Sequence, residues 1–156
     1  MLKIEILSIG KDKDSWVTDA CGHFVKQLKR HAAVKLTALP ALKAKASLSP
    51  IEIKRREAER FEKAIGSGYV IALTDRGKEY DSRAFASFLE RLRAESRGAV
   101  TFLIGGPYGL ADSLLERADA CVSLSPLTFS HQLVRLILLE QLFRGFDILA
   151  GGSYHK

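Results

Sequence analysis

The side chains best suited to chemistry lie in the last residues of the chain, Ser153–Lys156. The imidazole of His155 could act as a general base near neutral pH, and the ring of Tyr154 could stack on a nucleobase. Arg144 could bind an anion or substrate or, equally well, cap the carbonyl groups at the end of a helix. Composition alone predicts that residues 153–156 are frayed, and we expect them to become ordered only over a substrate.

Two loops form a second group of candidates. The stretch GGPYG at Gly105–Gly109 follows an apolar run, and glycines there would let a ligand approach the main chain closely. It lacks the G-x-G-x-x-G spacing, and a purely structural turn is at least as typical of it. In the stretch SPLTFS, Thr128 or Ser130 could simply cap the following helix. Alternatively, its main chain binds a purine-like ligand between the apolar walls of Leu127 and Phe129.

Strands and helices alternate along the chain and would position these loops. Periodicity and short apolar runs predict strands at 2–9, 34–39, 69–73, 100–104 and 121–124. Helices are predicted at 14–30, 50–65, 81–96 and 131–146, with a short one ending near Arg117. This order predicts a single α/β domain over 1–156, with a mostly parallel sheet and helices on both faces. Ligands in such folds bind beyond the carboxyl ends of strands, so the loops after Leu73, Ile104 and Leu124 are expected to meet there.

The helix at 131–146 is apolar on almost every side. Such a helix is buried against more than one surface, and in a domain of this size the second surface is expected to be another subunit. Helix starts are also marked, because Ser49 precedes Pro50 with Glu52 in position for a capping box, and Asp81 can cap the helix that follows it.

The net charge of the chain is moderately positive. The 156 residues include 24 Lys and Arg against 18 Asp and Glu, which gives a net charge of +6. A merely positive surface and a polyanionic partner such as nucleic acid explain this equally well. The basic residues of 41–49, with Lys43 and Lys45, are predicted to form a loop.

Cys21 and Cys121 have no metal-ligand spacing and are expected to be reduced and buried. No secretory or membrane-spanning pattern is present, so we expect a cytoplasmic protein.

The C-terminal third resembles the small SPOUT methyltransferases that modify large-subunit ribosomal RNA, in the stretches LIGGPYG, LSPLTFSHQLVRLILLEQLFR and the terminal YHK. The resemblance extends through LKIEILSIGK and LTDRGKEYDSRAFASFL to essentially the whole chain. It implies a deep trefoil knot in the C-terminal segment and a homodimer whose active site combines both subunits. It also implies transfer of the methyl group of S-adenosylmethionine to N3 of a pseudouridine in large-subunit ribosomal RNA, on the assembled ribosome and without a metal.

By matching position, the resemblance assigns the cofactor to Leu73, Gly105, Leu124, Ser125, Pro126, Leu127, Thr128 and Phe129. Because they are the convergent polar groups near the predicted site, we expect His155 from the partner subunit to assist removal of the N3 proton, while Tyr154 and Arg144 position the nucleotide. The chain departs from the family pattern at Thr74, where Asp is frequent, and at Phe143, where Tyr is frequent.

Two other functions fit the fold class. One is a non-catalytic ribosome-binding or assembly protein with the same fold, against which the intact GGPYG and YHK stretches argue. The other is an enzyme that uses a different nucleotide cofactor, which the missing dinucleotide fingerprint disfavours.

Overall fold

The structure, a computed structural model, describes residues 1–43 and 47–156, so Lys45 of the predicted basic loop lies outside the described residues. The strands are β1 (Leu2–Ile9), β2 (Ala32–Leu39), β3 (Tyr69–Glu79), β4 (Ala99–Ile104) and β5 (Ala120–Ser123). The helices are α1 (Ser15–Leu28), α2 (Pro50–Ala64), α3 (Ser82–Glu95), α4 (Asp112–Arg117) and α5 (His131–Leu149).

The strands form one sheet in the order β2-β1-β4-β3-β5, and every pair in it is parallel. Alternate residues of a strand face opposite sides, so β1 contributes Ile4 and Ile6 to one core and Leu7 to the other. The first core lies under α1, α3 and α5, and the second under α2 and α4. The predicted α/β fold with a parallel sheet and helices on both faces is therefore confirmed. The trefoil knot stays a prediction.

Strand β3 differs from its predicted form. The sequence predicts a strand that ends at Leu73, followed by a turn, whereas β3 continues to Glu79. Leu73 and Lys78 both pair with Val122 of β5, so residues 74–77 form a bulge in β3 that is not paired with β5. A Cβ atom at Gly77 would lie 2.6 Å from the main-chain nitrogen of Val122, so the close approach of β3 to β5 requires glycine there.

Side-chain caps fix where three helices begin. Ser49 accepts a hydrogen bond from the Glu52 nitrogen at 3.2 Å, and Asp81 accepts one from the Ala84 nitrogen at 2.7 Å. Ser130, and not Thr128, caps α5, with its hydroxyl 3.4 Å from the Leu133 nitrogen. The Glu52 carboxylate forms ion pairs with Arg55 and Arg56 on its own helix. It therefore points away from the Ser49 main chain, and the second hydrogen bond of the predicted capping box is not formed.

Helix α5 is fixed at both ends. Near its start, the buried Arg135 donates a hydrogen bond to the Ser8 hydroxyl at 3.0 Å and forms an ion pair with Asp12, just beyond β1. Near its end, Gly145 lets the helix approach α3, since a Cβ atom there would lie 2.6 Å from Leu89 Cδ1. The helix continues to Leu149, beyond its predicted end. It therefore links the carboxyl edge of the sheet rigidly to the amino edge.

Other sequence expectations concern cysteines, membrane segments and metals. Cys21 is buried, Cys121 is half-buried, and both are free thiols. None of the helices in the described part of the chain combines the length and apolar character that a bilayer-spanning segment needs. Across the same residues, histidine, cysteine and acidic side chains form no cluster that could hold a metal ion.

Candidate functional site

A cavity of about 640 Å³ lies at the carboxyl edge of the sheet, where the irregular stretch 74–77 of β3 and the loops after β4 and β5 meet the first turn of α5. This is the edge at which the sequence predicts a ligand site. The predicted cofactor residues that line it are Leu73, Gly105, Leu124, Ser125, Leu127, Thr128 and Phe129. Pro126 belongs to the same loop but is exposed and is not part of the lining.

The glycine turn after β4 is closed on itself. The Gly109 nitrogen donates to the Gly106 carbonyl oxygen at 2.9 Å, and Gly109 adopts a positive φ of 82°. A Cβ atom at Gly105 would lie 2.5 Å from the Gly109 carbonyl carbon and 2.8 Å from the Leu110 nitrogen. A side chain at 105 would therefore deform the turn, and its absence leaves the main chain open to the cavity.

The loop after β5 is held by short-range hydrogen bonds. Ser125 accepts a bond from the Leu127 nitrogen at 3.0 Å, and the Ser123 hydroxyl donates to the Ser125 carbonyl oxygen at 3.1 Å. These bonds present Leu127, 70% exposed, at the mouth of the cavity, where it forms an apolar wall together with Phe129. An apolar wall beside fixed main-chain groups suits a flat heterocycle with a polar edge.

The irregular stretch 74–77 within β3 adds a carboxylate that the sequence reasoning missed. Thr74 and Asp75 both line the cavity, and the Thr74 hydroxyl lies 3.5 Å from Asp75 Oδ1. The same hydroxyl accepts a bond from the Arg76 nitrogen at 3.3 Å, which shapes the loop. A charged residue directly beyond a buried strand is the signal that could have identified Asp75. Its carboxylate can accept hydrogen bonds from a hydroxyl or an ammonium group.

The three residues predicted for catalysis lie together at the other end of α5 and form, with Glu140, the C-terminal cluster (Glu140, Arg144, Tyr154 and His155). Glu140 Oε1 accepts bonds from Arg144 Nη2 at 2.5 Å and Nε at 3.1 Å, and from the Tyr154 phenol at 3.0 Å. Arg144 Nη1 lies 3.2 Å from His155 Nδ1, and its guanidinium lies 4.7 Å from the centre of the Tyr154 ring. The i,i+4 spacing of Glu140 and Arg144 is the signal that could have found Glu140.

The expectation that residues 153–156 are ordered only over a substrate is wrong for this structure. The Tyr154 nitrogen donates to Asp147 Oδ2 at 2.9 Å, and its ring meets the Phe143 ring edge-on, with centroids 4.9 Å apart. A Cβ atom at Gly152 would overlap the Asp147 carboxylate, so glycine lets the chain turn back onto α5. The segment is ordered because α5 supplies two carboxylates and an aromatic ring, which the composition of the segment does not reveal.

The contacts of Arg144 define the chemistry of the cluster. A guanidinium has donors only, so Nδ1 of a neutral His155 must accept, and its Nε2 then carries the hydrogen. Arg144 does not cap helix carbonyls, because its head is held between Glu140, Tyr154 and His155. Burial, and then the hydrogen bond to Glu140, raise the pKa of Tyr154, so the phenol remains a hydrogen-bond donor to Glu140.

A sequence model of the family described as predicted SPOUT methyltransferase matches residues 2–155. The chain belongs to the SPOUT methyltransferase family. Curated relatives of this SPOUT methyltransferase include proteins named ribosomal RNA large subunit methyltransferase H. The one from Alkaliphilus oremlandii is 40% identical over 159 residues, covering 99% of this chain and 100% of the relative. The one from Cytophaga hutchinsonii is 34% identical over 154 residues, covering 99% of each.

Solved structures of methyltransferases share the fold of this SPOUT methyltransferase. A probable methylase family protein from Haemophilus influenzae has a TM-score of 0.61 at 14% identity, over 98% of this chain and 70% of that one. A putative methyltransferase from Legionella pneumophila, solved with bound S-adenosylmethionine, has a TM-score of 0.51 at 12% identity, over 97% of this chain and 67% of that one. At these identities the likeness concerns the fold alone.

The two parts of the site are far apart within one chain of this SPOUT methyltransferase. His131 lines the cavity and Arg144 belongs to the C-terminal cluster, both on α5. A helical rise of about 1.5 Å per residue separates them by about 20 Å along the helix axis. A single chain therefore does not bring its own His155 to its own cavity.

Proposed function

We propose that this protein transfers the methyl group of S-adenosylmethionine to N3 of a pseudouridine in large-subunit ribosomal RNA, acting on the assembled ribosome in the cytoplasm. The observation that carries the proposal is the 34–40% identity, over almost the full length of both chains, to relatives named ribosomal RNA large subunit methyltransferase H. The cavity and the C-terminal cluster supply the groups that this reaction needs.

The cavity fits the cofactor. Its volume of about 640 Å³ falls in the range of about 300–1,000 Å³ that is usual for small-molecule sites. Leu73, Leu127 and Phe129 offer apolar walls, and the turn at Gly105 offers open main chain. Asp75 is the acceptor for a hydroxyl or ammonium group. When bound, S-adenosylmethionine supplies an electrophilic methyl group on a sulfonium, which is a good leaving group.

The active form is a homodimer in which the partner subunit's cluster reaches the cavity. Two features support this. The axial distance of about 20 Å along α5 keeps the cavity and the cluster of one chain apart. Helix α5 also carries apolar residues that its own chain leaves partly uncovered, among them Leu133, which is 36% exposed, and the half-buried Leu136 and Ile137. A partner would bury these side chains and supply the missing polar groups.

The cluster assists the loss of the N3 proton without taking it. The neutral imide is a poor nucleophile, and its deprotonation places negative charge on the adjacent carbonyl oxygens. His155 Nε2 points its hydrogen away from Arg144 and is therefore a donor to such an oxygen, while the proton passes to water. This changes the role of His155 from general base to hydrogen-bond donor. Tyr154 stacks on the nucleobase, and Arg144, held by Glu140, fixes the imidazole.

Methyl transfer to isolated ribosomes tests the proposal. The purified protein is incubated with isotope-labelled S-adenosylmethionine and with ribosomes or large subunits from cells that lack it. The RNA is then digested and its nucleosides are separated by mass spectrometry. Labelled N3-methylpseudouridine is expected. Binding of S-adenosylmethionine without any labelled nucleoside would contradict the substrate, and absence of cofactor binding would favour a non-catalytic ribosome-binding protein.

A further inference from the structure

The end of the molecule opposite the cofactor cavity carries a cluster of cations. Here the amino ends of β1, β2 and β4 meet the last turns of α1, α3 and α5. Lys26, Lys29 and Arg30 are exposed at the end of α1, and Arg93 lies near the end of α3. We call these four residues the amino-edge basic surface. The proposed methyl transfer does not use them.

A depression lies within this surface. Its volume is about 380 Å³, and its lining includes His31, Arg93 and Gly98 together with Met1 and Leu2. His31 Nε2 is shielded from solvent and has no hydrogen-bond partner among the described residues. The imidazole of His31 and the guanidinium of Arg93 therefore line the same depression.

Two of the guanidinium groups are held in place by aromatic rings of α5. The Arg30 guanidinium lies 5.9 Å from the centre of the Phe143 ring, and that of Arg93 lies 5.0 Å from the centre of the Phe146 ring. Contact through the face of a guanidinium leaves its edge free to donate two parallel hydrogen bonds to an acceptor such as a phosphate. Less conformational freedom is then lost when the acceptor binds.

Few acidic groups compensate this surface. Within the described residues, Lys26, Lys29 and Arg30 form no ion pair, although Arg30 Nη2 donates to the Gln27 side chain at 3.2 Å. Arg93 lies 3.2 Å from Glu90, but both side chains are exposed and water screens this pair. With the nearby Asp147, whose charge acts on His31, this makes two carboxylates against four cations. The surface therefore keeps a net positive charge.

We propose that the amino-edge basic surface binds backbone phosphates of ribosomal RNA and delivers the target nucleotide to the C-terminal cluster of the same subunit. This inference rests on the proposed function. The two regions are continuous, because the Phe143 ring contacts both Arg30 and Tyr154. Phosphate contacts carry no sequence information, but they fix the position of the RNA. The subunit that supplies His155 is thus the one that holds the RNA strand, and its partner's cavity holds the cofactor.

A structural role is the competing explanation, since cations near a helix C-terminus also compensate the helix dipole. The two roles differ in what a charge-removing substitution changes. Loss of dipole compensation lowers the stability of the protein and leaves its affinity for RNA unchanged. Loss of phosphate contacts lowers the affinity for RNA and its dependence on salt.

The test uses Lys26→Gln/Lys29→Gln, with Lys54→Gln/Lys63→Gln on α2 as a control that removes the same charge from the opposite face of the sheet. The dissociation constant for isolated large ribosomal subunits is measured by co-sedimentation at several salt concentrations. For the first variant, the constant is expected to rise about tenfold and the slope of its logarithm against that of salt to fall by about two. The control is expected to stay within about twofold of the parent protein.

Arg93→Gln and light scattering complete the test. Arg93→Gln is expected to weaken binding about threefold to tenfold, with unchanged affinity for S-adenosylmethionine. If the α1 variant binds subunits as the control does, the surface does not contact RNA and the proposal is wrong. Loss of the dimer mass in the α1 variant would also overturn it, because the surface would then be a subunit contact. Co-sedimentation does not depend on methylation and tests the phosphate contacts separately. Failure of the methyl-transfer assay with intact binding would overturn the proposed function and the delivery of the nucleotide, but not the binding of RNA by this surface.

Discussion

Arg144 Nη1 lies 3.2 Å from His155 Nδ1, and this contact decides which ring nitrogen of His155 is free. Because the guanidinium can only donate, the lone pair of the neutral imidazole is occupied inside the protein and the N–H at Nε2 remains available. A residue predicted as a general base is therefore presented as a hydrogen-bond donor. The distinction can be tested, because a donor can be replaced by another donor and a base cannot.

Replacing His155 by Gln is expected to retain more activity than replacing it by Ala. The Gln amide keeps an N–H donor, whereas Ala removes the group that stabilises the imide oxygen. The Ala variant should lose about a hundredfold in single-turnover rate at saturating cofactor and ribosome, the usual cost of one such donor. An equal loss in both variants, together with a rate for the parent protein that falls toward acidic pH, would restore the role of base. Affinity for S-adenosylmethionine serves as the control and should not change.

Glu140→Gln is expected to lower kcat about tenfold, because Oε1 accepts charge-assisted bonds from Arg144 and a bond from the Tyr154 phenol. Glu140 acts through Arg144 and is a positioning residue. A merely structural role would leave the tautomer of His155 unchanged, so ¹⁵N NMR of the ring is the decisive readout. We expect the Nδ1 signal to move in Glu140→Gln. In Glu59→Gln, which removes an ion-paired carboxylate on α2, it should not. An unmoved signal with reduced kcat would contradict the positioning role.

Gly105→Ala is expected to weaken S-adenosylmethionine binding at least about tenfold, because the new Cβ atom would lie 2.5 Å from the Gly109 carbonyl carbon and the turn must shift. Isothermal titration calorimetry measures the change. Gly66→Ala is the matched control, since a Cβ atom there meets nothing within 4 Å and the residue has no positive φ. Equal cofactor affinity in the two variants would show that the turn does not shape the cofactor site.

The layers of this fold can be predicted from the sequence because each strand and helix is marked by residues that are close together in the chain. Apolar runs mark β4 and β5, Ser49 and Asp81 mark helix starts, and the carboxyl ends of parallel strands bring Gly105 and Leu127 to one cavity. The rest depends on contacts between distant residues, which periodicity does not reveal. The return of β3 at 74–77 requires Gly77 against Val122, and the ordered C-terminal segment requires Asp147 and Glu140. The family resemblance, and not the pattern of residues, is what predicts the knot and the pseudouridine.

His31 is expected to make the protein less stable in mild acid. Burial, followed by the charge of Arg30, lowers the pKa of His31 below its usual value. The folded state thus binds this proton more weakly than the unfolded chain, whose histidine pKa is about 6.5. The resulting contribution to stability is complete above that pH and is lost as the pH falls through 6.5 toward the folded-state pKa. The rings of His31 and Phe146 are stacked with their centroids 5.9 Å apart. His31→Phe keeps an aromatic ring at this position but removes the titratable group. Urea unfolding at pH 8 and pH 5, at one fixed protein concentration, should show a smaller loss of stability in the variant. Equal losses in both proteins would exclude His31 as the source.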